Sequence, residues 1–378
     1  MKKTMKFGVL FAISFTALNT FATIRTVSNN VNSPGQYTDL QAAITAAANN
    51  DTIYIHRSDV DYGNVTINKT LTLIGEGALP NKQVQLSTSS TVQIQNITLT
   101  YAAFPATTTG SGSKFYGLNV QYIYINLVSS SGGGISNLIF NRNKIAGIML
   151  GSTHSNLILT QNNISYIGQS SGAAGAFVNS VISNNIISTC QPLTGITASG
   201  SNNIISNNIF QNTFWARGAV VSNNIFYNSA SSGTINVSTY SCTFTNNLFY
   251  AFTPVVSTNI ISGTNTGTGN LFNVDPQFTT AALCSDVYNY TYTAPTAGPF
   301  ADFHLLSSSP GVNYGTDGTN IGIYGGNYPW IDGSTTDSRF RYYPMTSQVP
   351  QMIQMNITNP TLPVNGTLNV NFNAKTQN

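Results

Sequence analysis

The chain has 378 residues, is 41% hydrophobic, carries only 7% charged residues and has a formal net charge of +3. An ordinary soluble domain is roughly 25% charged, so this composition excludes a nucleic-acid binder built on a basic stripe and a surface steered to anionic membranes. The apolar share suffices for a long core, and the surface must be made largely of uncharged polar residues.

Residues 1–22, MKKTMKFGVLFAISFTALNTFA, have the pattern of a signal peptide. Lys2, Lys3 and Lys6 precede a short apolar run from Phe7 to Leu18, and Thr20-Phe21-Ala22 offers a cleavage site. The run is too short to span a bilayer. The expectation is export without a membrane span, giving a secreted or cell-surface protein. Those three lysines account for the whole net charge, so the mature chain is formally neutral. Cys190, Cys242 and Cys284 are odd in number and irregular in spacing, which favours buried thiols over a disulfide framework.

A solenoid domain is expected over 23–344. It opens with a capping helix at 38–48, where Leu40, Ile44 and Ala47 share a face and Asp39 can cap the start. The stretches DTIYIH and NVTINKTLTLIGEG then alternate apolar and polar residues with period two, as strands do. Coils follow from about 52 to 330.

The coils announce themselves by a repeated pair. Asn-Asn begins at Asn162, Asn184, Asn207, Asn223 and Asn246, in steps of 22, 23, 16 and 23 residues, followed by two large apolar residues in all but the first, which continues Ile164-Ser165. Asn suits a bend, because it tolerates the left-handed region and bonds its own backbone. A recurring bend with short strands and no helices predicts an all-β parallel β-helix. The second Asn of each pair, Asn163, Asn185, Asn208, Asn224 and Asn247, is expected to form a structural stack. Ile186, Ile209, Ile225 and Leu248 should stack after the corner, with Phe210, Phe226, Phe249 and Phe272 as a second column. The pairs at Asn49 and Asn202 fall out of this register. The 16-residue step is either a coil cut to its minimum or a slip of register.

Three features resemble the secreted right-handed parallel β-helix proteins of pectate-lyase-like architecture. They are the leading DLQAAITAAANNDTIYI, the coil series, and the pair NLFNVDPQF and ADFHLLSSSPGVNYGTDGTNIGIYGG, which looks like a closing segment of that family. The resemblance spans about 25–330 and implies a right-handed solenoid. That family includes lyases, hydrolases and adhesins, so fold alone does not assign an activity.

No Asp or Glu lies between Glu76 and Asp275. Glycoside hydrolysis uses two carboxylates and calcium-assisted elimination uses carboxylates to hold the ion; the central coils supply none. No metal site or cofactor is called for. Arg142, Lys144 and His154 fall within one coil step and are the candidate catalytic residues of a lyase with a Lys, His or Tyr base. Trp215 and Arg217, beside the short coil, are the candidate ligand-binding residues, with Trp330 a second aromatic candidate. No Thr-x-Thr column is sustained in register, which makes ice adsorption the most remote reading. Residues 345–378 read as a two-strand tail. The composition favours a non-catalytic extracellular solenoid for adhesion, glycan contact or surface structure, with extracellular polysaccharide as partner. A polysaccharide lyase on the same fold is the alternative.

Overall fold

The computed structural model describes residues 22–31, 34–58, 60–75, 93–100, 109–125, 134–169, 176–187, 202–211, 214, 216–228, 233–234, 241–253, 261, 263–280, 302–330, 351–357 and 370–375. The segment before residue 22 expected to be a signal peptide, Trp215, Cys190 and Cys284 lie outside them.

The chain winds as a parallel β-solenoid. Each coil adds one strand to an eleven-stranded sheet, from Ile24–Val27 to Thr266–Thr268, and then one to a ten-stranded sheet, from Asn64–Ile67 to Leu271–Phe272. Every pairing in the two sheets is parallel and joins neighbouring coils, as in Ile182 opposite Leu159 and Ile205. The third side carries short pairs, Thr153–Ser155 with Ala176–Val178 and Gly233–Thr234 with Phe252–Thr253. One α-helix is found among the described residues, Leu40–Ala46. Asp39 caps it by accepting from the Ala42 N–H, and Leu40, Ala43 and Ile44 are buried in the core that runs through the coils. Inside, Phe210, Phe226, Phe249 and Phe272 stack with centroid separations of 5.1, 4.6 and 5.1 Å.

Two corners make the coil possible. At the first, Arg142, Gln161, Asn184, Asn207, Asn223, Asn246 and Gly269 adopt positive φ. The residue after each turns its amide inward as a ladder: Asn143, Asn162, Asn185, Asn208, Asn224, Asn247 and Asn270. In each step the backbone N–H and the side-chain Nδ2 of one Asn both donate to Oδ1 of the Asn in the next coil, as for Asn185 on Asn208 at 2.9 and 3.0 Å. Nδ2 also donates to a carbonyl of the preceding coil, as Asn208 does to Ile182 at 2.8 Å. The ladder thus satisfies the polar groups of a bend that has no water to turn to.

Asn163 is not a member; Asn162 holds that place. In the 161–164 stretch Gln161 takes the left-handed position, so the ladder Asn comes one residue earlier and Asn163 starts the strand, opposite Lys144 and Ile186. The preceding coil repeats the shift, with Asn143 rather than Lys144 on the ladder.

The Asn pairs that seemed out of register mark the second corner. Asn50, Asn137, Asn156, Asn179 and Asn202 all have positive φ. After three of them the next residue caps the preceding coil: Asp51 accepts from the Thr23 N–H, Ser180 from the Leu157 N–H and Asn203 from the Ser180 N–H, whereas Leu138 and Leu157 follow Asn137 and Asn156. The 16-residue step is a shortened coil, because both sheets pass through it in register.

Ile186, Ile209, Ile225 and Leu248 point out of the solenoid, not in. They form a second apolar cluster with Ile321 and Ile323 of the closing segment. That segment runs back along the first corner and uses the left-handed Asn residues as a track. Tyr314 O accepts from Asn246 Nδ2, Thr316 N–H donates to Asn223 Oδ1, Gly325 O accepts from Asn184 Nδ2, and Pro329 O accepts from Gln161 Nε2. Gly322 sits at a close approach with φ +80°, a conformation that strains any L side chain, and a Cβ there would lie 2.8 Å from Ile225 Cδ1, which would have to shift. Strands Gln351–Ile357 and Val370–Lys375 pair antiparallel in the tail.

Candidate glycan-contact face

The outward column that is aliphatic under the closing segment turns polar where that cover stops: Ile186 is preceded by Asn163, Lys144 and Asn119. From here toward the N-terminus the ten-stranded sheet has seven-residue strands, Gln93–Leu99, Asn119–Ile125, Lys144–Leu150 and Asn163–Gln169. In each the inner residues are buried aliphatics such as Ile123, Ile148 and Ile167.

Two further outward columns lie beside Lys144. The first runs Asn96, Tyr122, Gly147, Tyr166; the second runs Thr98, Tyr124, Met149, Gly168. In the first column tyrosine and glycine thus alternate along the coil axis, and the Tyr122 and Tyr166 rings use the space that glycine leaves. A Cβ on Gly147 would lie 2.7 Å from Tyr122 Cδ1 and 3.7 Å from Tyr166 Cδ1, so the two rings close over it from either side. A Cβ on Gly168 would collide with the Tyr166 ring and hydroxyl, so that ring lies down along its own strand. The Tyr122 and Tyr124 rings are 5.9 Å apart and inclined by 31°. All three tyrosines are half-buried, which leaves part of each ring to solvent. Rings held flat on a rigid sheet offer apolar area that needs no rearrangement on binding, with a polar hydroxyl at the edge.

Lys144 stands at the head of this face. Burial pulls its pKa from the usual lysine value down to about 8. Arg142, two residues earlier, is buried at the corner, where its Nε donates to Gln161 Oε1 at 2.9 Å and burial lowers its pKa. His154 is elsewhere. It follows a strand that spans about 20 Å and is wholly buried, with Nδ1 accepting from the Ile135 N–H at 3.0 Å. Its pKa falls to about 4, because burial outweighs the backbone bonding to Ile135 and Ile125. Arg142 and Lys144 therefore share one corner, and His154 does not join them. Arg217 is exposed at the second corner, away from the tyrosines. Trp330 is buried, with Nε1 donating to Asn184 O, so it is an anchor of the closing segment and not an exposed aromatic. Cys242 is buried and free, and burial pushes its thiol pKa up.

Sequence reasoning missed Tyr122, Tyr124 and the two glycines. The signal was present in the aligned stretches NVQYIYI, KIAGIML and NISYIGQ, where position four reads Tyr, Gly, Tyr. No protein-family model matches this chain, and no curated protein is significantly similar to it in sequence.

Proposed function

We propose that the protein is an exported, non-catalytic β-solenoid that contacts extracellular polysaccharide, for adhesion or surface structure, through the tyrosine face of its ten-stranded sheet. The observation that carries this reading is a set of three half-buried tyrosine rings on one sheet face, two of which, Tyr122 and Tyr166, pack over glycines. Sugar rings present flat C–H faces that stack on such surfaces, and their hydroxyls would meet the half-buried Asn96 and Asn119 beside the rings. The central coils hold no carboxylate for hydrolysis, and the buried neutral His154 is poorly placed to serve as a base. Binding to a panel of neutral and acidic polysaccharides by affinity electrophoresis tests the reading. Retardation by at least one glycan that weakens in Tyr122→Ala supports it, and free migration on every glycan contradicts it. Export is tested by the mature N-terminus, expected near Thr23 in protein recovered from medium or cell surface.

One observation favours a lyase as the second reading: Lys144, with its pKa near 8, stands beside the tyrosines and is suited to proton abstraction near neutral pH. Appearance of unsaturated product from a uronate polymer, lost in Lys144→Ala, would establish it.

A further inference from the structure

The outer face of the eleven-stranded sheet has no part in the site above, and its pattern is different. Over seven consecutive coils the first residue of each strand faces outward and, in all but the last, the middle residue is buried; the third residue is half-buried or exposed except at Thr160 and Ser183, which are buried. The first row reads Ile139, Ile158, Val181, Ile204, Val220, Thr243, Thr266. The second reads Asn141, Thr160, Ser183, Ser206, Ser222, Thr245, Thr268. Along the adjacent corner, Asn137, Asn156, Asn179 and Asn202 are exposed and bonded in pairs, Asn156 to Asn137 at 3.1 Å and Asn202 to Asn179 at 3.3 Å.

The first row stays open. Ile158, Ile204 and Val220 are 37, 47 and 48% exposed, and the closing segment covers the other corner. Neither row contains a charged residue; Lys114 lies one strand beyond the row and Arg217 on the corner. Thr-x-Thr does occur in register, as Thr243-Phe244-Thr245 opposite Thr266-Gly267-Thr268. Elsewhere Ile or Val stands for the first Thr and Ser for the second in most strands, which keeps a branched methyl in one row and a hydroxyl in the other while erasing the motif from the sequence.

We propose that this face adsorbs to ice. A face of this kind suits a partner that is uncharged and repeats by translation. Its rows repeat every ~4.8 Å, and β-branched side chains in a strand are held in few rotamers, so the lattice of methyls and hydroxyls is set before binding. Charged groups would resist transfer into a solid that cannot solvate them, and the rows carry none. Methyls that order first-shell water, flanked by hydroxyl and amide groups that take lattice positions, match ice. A second copy is disfavoured by area, since about 29 by 13 Å is roughly 400 Å², half of what each partner contributes to a standard interface. A crystalline glycan is disfavoured because neither row has an aromatic ring to stack on sugars.

The test is ice-crystal shaping and recrystallisation inhibition by the full exported chain and by Ile204→Lys and Val220→Lys, with Ser307→Lys, on an exposed turn, as control. Inhibition by wild type and by Ser307→Lys, lost in both face variants while circular dichroism and melting are unchanged, is the expected result. Unaltered ice growth with wild type overturns the proposal, as does full activity in the face variants. Sedimentation with crystalline cellulose, or self-association, that is lost in Val220→Lys without any effect on ice would also overturn it and reassign the face.

Discussion

Replacing Asn208 with Ala removes one rung of the inner ladder, and the structure sets the expected cost. Its Oδ1 accepts from both the backbone N–H and Nδ2 of Asn185, and its Nδ2 donates to Ile182 O, Ser206 O and Asn224 Oδ1, all between 2.8 and 3.0 Å. Asn185 Nδ2 retains Leu159 O and Ser183 O. The Asn185 backbone N–H, fully buried, loses the Oδ1 it bonds. An orphaned buried donor costs about 1–3 kcal/mol and each further lost bond about 1 kcal/mol net; the Asn185 Nδ2 bond and the two hydrogens of Asn208 Nδ2 add about 3 kcal/mol, so Asn208→Ala should cost about 4–6 kcal/mol. Asn208→Gly should cost at least as much, because the position needs the amide and not conformational freedom. The preceding residue behaves oppositely. Asn207 has φ +56° and reaches Asn320 O and Gly322 O only at 3.4 Å. Asn207→Ala should cost about 1–2 kcal/mol from left-handed strain, and Asn207→Gly less than about 1 kcal/mol. Urea unfolding followed by circular dichroism reads all four, with equal m-values required because a solenoid can lose cooperativity coil by coil. Equal destabilisation by Asn207→Gly and Asn208→Gly would refute the division of labour between the two asparagines.

Three further outcomes are expected. His154 has a folded pKa near 4, below its unfolded value, so stability should fall as pH drops from about 6.5 to about 4; urea midpoints across that window should show a slope that His154→Gln reduces, and an unchanged slope would count against a buried neutral imidazole. Lys144 has a folded pKa near 8, so between pH 8 and the ordinary lysine range the unfolded chain holds a proton the folded chain has released. Stability should therefore gain from this group as pH rises, a contribution absent in Lys144→Met and detectable as a difference between the two pH profiles. Gly322→Ala should loosen the closing segment without unfolding the coils, seen as faster amide exchange at Ile321, Ile323 and Gly325 while Ile205 and Ile182 stay protected; unaltered exchange at 321–325 would mean the segment is not held by this close approach.

The solenoid was legible because its bend chemistry is local: Asn at a left-handed corner followed by an apolar pair repeats wherever the coil turns. The same locality misled at Asn163. Gln161 fills the left-handed position there, and nothing in QNNI tells which of three amides sits at the bend. The second corner was harder, since Gly112, Asn137 and Gly218 satisfy the same φ by different residues, and Ser113 and Ser180 cap with a hydroxyl where Asn203 uses an amide. The outward apolar column was legible as a column and not in its direction, because its cover comes from residues more than a hundred positions away, such as Gly322 beside Asn207. The tyrosine face escaped notice for a related reason: its glycines matter only once neighbouring coils lie side by side.

Contact with polysaccharide through the tyrosine face is most directly tested by isothermal titration of one retained glycan into wild-type protein, Tyr166→Ala and Val220→Lys. Stacking on an aromatic ring contributes on the order of 1 kcal/mol, so Tyr166→Ala should weaken binding about five- to tenfold while Val220→Lys, on the other sheet, leaves it unchanged. Equal affinity for wild type and Tyr166→Ala, or a loss confined to Val220→Lys, would contradict the assignment of that face.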